Sequence, residues 1–329
     1  MTVRVISVPL RGKPLTQAAI SGLAGSRWFV PHPAGAAEWN RRADEMRGAL
    51  VDSNWMSSLA PAIGASGPAA DRLLRAATSG FAVTTGQQPG LFGGPLYTWW
   101  KALSALALAN DLERLTGRPV APIFWAATDD SDFTEAAKTV VAMHGKSVTI
   151  EIARLGGEGG ALAGMPLGDV RTQLDQLALA AGSAPHAGIL DKVRAAYTPD
   201  HTIGSAYVQL LRAVLNPLGI AVIDASHEAV RSAAYPVLRS ALRTADSIES
   251  ALESRASDLA AAGHTSQVKL VKGRSLVFTE TNGKRARVSL RDASAIAETA
   301  ESVELGANVL LRPIVERSII PTVAYVGGP

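Results

Sequence analysis

The feature that most constrains this chain is an ordered run of elements between residues 81 and 125. Phe81-Ala82-Val83-Thr84 has the composition of a buried strand, and a Gly-rich turn follows it. A helical pattern then runs over 95–116, closed by Gly117, and a second apolar run spans 120–125. Strand, turn, helix and strand in that order form the βαβ unit of a parallel sheet, with the helix lying on one face. The predicted fold class is therefore α/β.

The same alternation resumes late in the chain. A helical pattern over 205–218 leads to the apolar strand 220–223, which ends in Asp224, and a long Ala-rich helix is expected over 228–262. Between the two parts, 135–204 reads as an insertion, with a hairpin over 138–154, a Gly-rich loop over 156–168 and modest helices. Residues 1–79 read as an irregular wrapping lead-in with helical pieces, such as 37–50. Residues 268–290 read as a meander turning at Asn282-Gly283, a favoured hairpin dipeptide. Asp292 is expected to cap a short helix, and 309–326 to return to strand. The expected divisions are a wrapping segment 1–79, a first half of the sheet domain 80–134, an inserted segment 135–204, and a second half 205–329 with a hairpin insertion. The sequence finishes in a Gly-Gly-Pro turn after an apolar strand, and a turn of that kind ordinarily launches another element, so a further C-terminal part is expected.

Composition narrows the chemistry. A chain of 329 residues that is 47% hydrophobic can bury a large core. The balance of 32 Lys+Arg against 29 Asp+Glu, with no long run of one sign, offers nucleic acid little. No stretch is long and apolar enough for a secretory h-region or a membrane span, so a cytoplasmic protein is expected. With no cysteine, the chain has no disulfide, thiolate zinc site or cysteine nucleophile, and any sulfur chemistry must come from the substrate. The six histidines, at 32, 144, 186, 201, 227 and 264, never fall at a spacing that places two on one helix face. No metal site is indicated.

Two constellations carry candidate chemistry. The segment Thr84-Thr85-Gly86-Gln87-Gln88-Pro89-Gly90-Leu91-Phe92-Gly93-Gly94-Pro95 fits neither a dinucleotide fingerprint nor a P-loop. It is a Gly-rich connection into a helix, with Pro95 suited to the first helical position. A helix start exposes amide donors and partial positive charge that suit an anion. Thr98 and Lys101 share a face of that helix, and helical side chains lean toward the N-terminus, which aims Lys101 at the same place. The pattern equally describes a tight turn with a snorkelling lysine; the paired threonines and glutamines favour a binding role.

The second constellation is Asp129-Asp130-Ser131-Asp132, just beyond the 120–125 strand. Ligands of open parallel sheets bind past the carboxyl ends of strands. Carboxylates there can bind an amine, orient a hydroxyl, hold magnesium or accept a proton. Ser131 or Asp132 reads equally as a helix cap. Asp224 ends the third strand, where a turn role is as well supported. Arg312, in an apolar tail with Asn308, Glu316 and Tyr325, can clamp a carboxylate, although an ion pair with Glu316 is the favoured alternative.

Residues 83–101, VTTGQQPGLFGGPLYTWWK, resemble the TGQQ-x-GL-x-x-GP-x-YT stretch of the cysteine-adding enzymes of bacillithiol biosynthesis. Residues 122–133 resemble that family's second block, and 309–329 its LLRP…P-T-x-A-Y-x-G-G-P block. The resemblance implies a Rossmann-like core related to class I aminoacyl-tRNA synthetases and nucleotidylyltransferases, with inserted connective α+β segments. It implies a reaction joining L-cysteine to the amine of glucosaminyl malate through an activated carboxyl. On that basis the catalytic candidates are Lys101, Asp129 and Asp130. The substrate-binding candidates are Thr85, Gly86, Gln87, Gln88, Gly94, Thr98, Asp224 and Arg312. ATP or another nucleotide is a compatible cofactor. The expected partners are small-molecule substrates, together with a separate C-terminal helical partner or a second copy of the chain.

Two departures from the family stand out: Ser131 occupies a position where the family usually carries histidine, and family members continue into a helical coiled-coil domain. Competing expectations are a non-catalytic small-molecule or partner-binding module, and a sugar-nucleotide transferase, since fold does not fix function.

Overall fold

Ahead of the first strand, the expected irregular lead-in is a succession of helices. The computed structural model describes residues 12–23, 25–156, 159–182, 187–266, 268–281, 284–299 and 304–327. It places α1 at Pro14–Ile20, α2 at Gly25–Trp28, α3 at Ala36–Gly48, α4 at Trp55–Ile63 and α5 at Gly67–Ser79. Gly and Pro, read as breakers, mostly sit at helix ends: Gly35 precedes α3, Gly64 in the left-handed region ends α4, and Pro68 opens α5. The expected turn at Asn282-Gly283, His186 and the last two residues, 328 and 329, lie outside the described residues.

Strand β1 (Phe81–Gln87) follows, then a 3-10 turn (Leu91–Gly93), α6 (Leu96–Thr116) and β2 (Val120–Ala126). Pro95 is the residue before α6 rather than its first, and Gly117 closes the helix at φ 69°. The expected insertion holds α7 (Phe133–Ala136), the hairpin β3 (Lys138–Met143) and β4 (Lys146–Glu151), α8 (Arg171–Ala181) and α9 (Ala187–Ala196). Then come α10 (Ile203–Leu215), β5 (Ala221–Asp224), α11 (Glu228–Arg243) and α12 (Ala245–Ala261). The single helix expected over 228–262 is thus two, broken at Thr244.

Beyond them are β6 (Arg274–Thr281), β7 (Lys284–Ser289), α13 (Leu290–Thr299), β8 (Glu304–Ala307), α14 (Arg312–Ile319) and β9 (Thr322–Val326). Ser289, not Asp292, caps α13, since its hydroxyl accepts the Asp292 amide at 3.2 Å. The strand expected over 309–326 is mostly α14. Asn308 takes the Leu310 and Leu311 amides on its side chain, Pro313 stands in the first turn, and burial of Val315, Glu316 and Ile319 follows a helical period.

The main sheet runs β5-β2-β1-β9, all parallel. In chain order that is third, second, first, fourth, so the chain reverses its progress across the sheet between β1 and β9. β1 and β2 are interior strands with nearly every residue buried, which accounts for their unbroken apolar runs. The side chains of β1, β2 and β5 alternate between the two faces of the sheet. Ala82, Ile123, Trp125 and Ile223 point to α4, α5, α11 and α14, while Phe124 and Val222 point to α6 and α10. Phe81 and Phe124 are fully buried, each contributing roughly 1.5–3 kcal/mol of hydrophobic stabilisation. A second, antiparallel sheet, β7-β6-β8, packs on α11 and covers the Trp125 side of the main sheet near its carboxyl edge. Among the described residues no helix is long and apolar enough to cross a membrane.

Candidate active site

The carboxyl ends of β1, β2 and β5 bring Gly86, Gln87, Asp129, Asp130 and Asp224 to one edge of the sheet, while Thr98 and Lys101 come from α6 and Arg312 from α14. At the end of β1, a Cβ on Gly86 would lie 2.7 Å from the Trp125 carbonyl oxygen of β2, so glycine is needed for the strands to close. The Gly86 carbonyl accepts from the Lys101 ammonium, which also donates to Gln87 Oε1 at 3.1 Å. Lys101 therefore leans toward the turn as expected, but its charge meets strand-end oxygens. Burial pulls its pKa down, and the nearby Arg312 adds to this. Gln87 Nε2 donates to Tyr97 Oη at 3.0 Å, and half-buried Gln88 makes no hydrogen bond to another side chain among the described residues.

The Gly-rich turn is closed on itself. The Gly93 amide donates to Gly90 O at 3.0 Å and the Gly94 amide to Leu91 O at 3.2 Å. Tyr197, fully enclosed beneath the turn, donates its hydroxyl to Gly90 O at 3.2 Å and takes a further contact from the Gly93 amide at 3.3 Å. Phe92 is held at φ 55° with its ring edge-on to Tyr197. Two amides of the turn, those of Gly93 and Gly94, are thus engaged internally. Thr85 donates to Val326 O at 2.8 Å, tying β1 to β9. Thr98 is buried on the inner face of α6, and Gly94 stands at φ 73° beside it.

The acidic cluster divides by environment. The Asp132 side chain accepts the Glu135 amide at 3.1 Å and caps α7. Asp130 accepts the Asp132 amide at 2.9 Å, which shapes the loop. Asp224 collects three donors on one oxygen: the Thr128 hydroxyl, and the Ser226 amide and hydroxyl at 3.1 and 2.9 Å. Asp129 differs from these, because among the described residues its carboxylate bonds to no other. Burial pushes its pKa up, while Arg285 and Arg312 pull it down.

Asp129 and Arg312 line one cavity of about 530 Å³. Its floor is Trp125 and its walls are α11, β6 and β8. The expected Arg312–Glu316 ion pair does not form. Glu316 is instead hydrogen-bonded by Thr84, and the Arg312 guanidinium has no hydrogen-bond or ion-pair partner among the described residues. Sequence reasoning missed Arg285, which joins the strand meander to the site. It donates to Asp129 O at 3.2 Å and stacks on Phe278 at 4.8 Å. Arg231 was missed too; it lines the same cavity and bonds Ser226 O at 2.6 Å. Arg231 stands alone as a basic residue in the first turns of α11, whereas Arg285 is one of three basic residues in β7, where nothing local singles it out.

A family model described as Bacillithiol biosynthesis BshC, N-terminal Rossmann-like domain, matches residues 37–329. The chain belongs to the BshC family. A relative from Solibacter usitatus named "Putative cysteine ligase BshC" is 36% identical over 276 residues, covering 80% of this chain and 51% of its own length. One of the same name from Koribacter versatilis is 30% identical over 283 residues, covering 81% of this chain and 52% of its own length. The chain thus spans about half the length of the curated BshC relatives it matches. The expected α/β class with a Rossmann-like core holds, as does the resemblance drawn from residues 83–101. Among the described residues no cluster of His, Asp or Glu is placed to hold a metal ion.

Proposed function

We propose that this chain is the substrate-binding core of a cysteine ligase of bacillithiol biosynthesis, acting in the cytoplasm on L-cysteine and glucosaminyl malate. The observation that carries the proposal is the pairing of Asp129 and Arg312 across one cavity, opposite charges with neither committed to another side chain. Arg312 offers a planar pair of donors to the carboxylate of cysteine. Asp129 orients the acceptor amine. Half-buried among protein atoms, its carboxylate is more basic than a solvated one and can take the amine proton as the bond forms. The amine nitrogen forms the new C–N bond, the group activating the carboxyl leaves with its bonding pair, and the proton passes to Asp129. Since the Gly93 and Gly94 amides are engaged within their turn, no step is assigned to a nucleotide there.

The test is mass spectrometry of the chain incubated with L-cysteine, glucosaminyl malate and ATP. The expected product is the cysteine amide of glucosaminyl malate, lost in Asp129→Asn. Absence of that product from the wild-type chain, or its undiminished formation by the variant, would overturn the proposal.

A further inference from the structure

Gln87 stands between two partners that fix the direction of its side-chain amide. The Lys101 ammonium has only donors. The Gln87 atom facing it at 3.1 Å must be Oε1, which turns Nε2 toward Tyr97 Oη at 3.0 Å. With a donor entering its oxygen, the Tyr97 hydroxyl has its own proton left to give. Among the described residues no acceptor takes that proton. Tyr97 lies on the first turn of α6, is 38% exposed, and sits at the carboxyl edge of the sheet where Gln87 ends β1.

Lys101, Gln87 and Tyr97 therefore form a line of donors that starts at a cation, and each member polarises the next. Its start is fixed, because Lys101 is also bonded to the Gly86 carbonyl. The line meets the strand end that leads to Asp129, since Gln87 pairs with Ala126 of β2 and its carbonyl accepts the Ala127 amide at 3.0 Å. Burial, then the charge of Glu135, push the Tyr97 pKa up against the opposing effect of the Gln87 bond, so the hydroxyl keeps its proton at neutral pH.

Resting on the ligase reading above, we infer that Tyr97 contacts substrate in this site, giving its hydroxyl proton to an anionic oxygen of the ligand. Lys101 is the positioning residue that sets the direction through Gln87. A tyrosine that merely capped Gln87 would have no business with a ligand, and this difference is measurable.

The chain has five tyrosines, so labelling tyrosine with ¹³C at Cζ gives few resonances, and Tyr97→Phe identifies the one that matters. Inorganic phosphate or L-cysteine is expected to move the Tyr97 resonance. Tyr97→Phe is expected to weaken that ligand about tenfold, the size of one hydrogen bond to a charged group. Lys101→Met should weaken it comparably, and the double variant no more than the weaker single, because both break one relay. Gln87→Ala, which leaves the Lys101 bond to Gly86 in place, should give the same loss if the lysine variant fails to fold.

A Tyr97 resonance unmoved by both ligands, wild-type affinity in Tyr97→Phe, or fully additive losses in the double variant would overturn the inference. A resonance that moves in a chain forming no cysteine amide would instead sink the ligase reading and leave Tyr97 as a ligand contact.

Discussion

The Thr84 hydroxyl of β1 donates to the Glu316 carboxylate of α14, a buried contact that pins the helix carrying Arg312 to the centre of the sheet. Burial raises the Glu316 pKa from 4.5 to about 7, while the Thr84 bond and the charges of Arg312 and Arg317 oppose the rise. The folded state therefore holds this proton more tightly than the unfolded chain. Its stabilising effect is full below pH 4.5 and declines as pH rises to about 7, by roughly 3 kcal/mol at most. Glu316→Gln keeps the shape and an acceptor for Thr84 but cannot titrate. The stability gap between variant and wild type, from urea unfolding, should widen in the variant's favour from pH 5 to pH 8. A gap that stays constant would show that Glu316 does not titrate in this window.

Asp224 is expected to act on stability before it acts on ligand. Its carboxylate gathers Thr128 and Ser226 at the end of β5, so Asp224→Ala should cost about 1–3 kcal/mol by stranding their donors. Asp224→Asn, which keeps an acceptor oxygen, should cost much less. Chemical denaturation of the pair checks the order, and equal losses would contradict it.

Tyr197 should matter to the Gly-rich turn through its hydroxyl alone. Tyr197→Phe keeps the ring against Phe92 but removes both contacts to Gly90 and Gly93. The expected cost is about 1–2 kcal/mol, with faster amide exchange at Gly93 and Gly94. Unchanged exchange rates would show that the turn holds without it.

The parallel sheet was legible because β1, β2 and β5 are buried on both faces and must be apolar throughout, a pattern that survives in any context. The order of strands was not legible, since pairing of β9 with β1 rests on contacts about 240 residues apart in sequence. α14 was mistaken for strand because apolar residues stand at both its ends, at 309–311 and 319–321, and so the short helix between them reads as part of one apolar run. In the site, Asp129 and Lys101 could be found from their places after a strand and on a helix face. Which acid stays free could not: Asp129, Asp130 and Asp132 differ only in which amides reach them, and that depends on the folded loop. Arg285 comes to Asp129 through the β6–β7 hairpin, a long-range placement that leaves no local trace.

If Arg312 holds the cysteine carboxylate while Asp129 serves the amine, steady-state kinetics separates the two roles. Arg312→Lys keeps a charge but not the bidentate geometry, so it should raise the KM for L-cysteine about tenfold with a smaller change in kcat. Asp129→Asn should instead lower kcat by about 100-fold, the lower end of what a general base contributes. Both variants should melt within a few degrees of wild type, since among the described residues neither side chain has a hydrogen-bond or ion-pair partner. Wild-type KM in Arg312→Lys together with wild-type kcat in Asp129→Asn would show that neither residue has the role assigned to it.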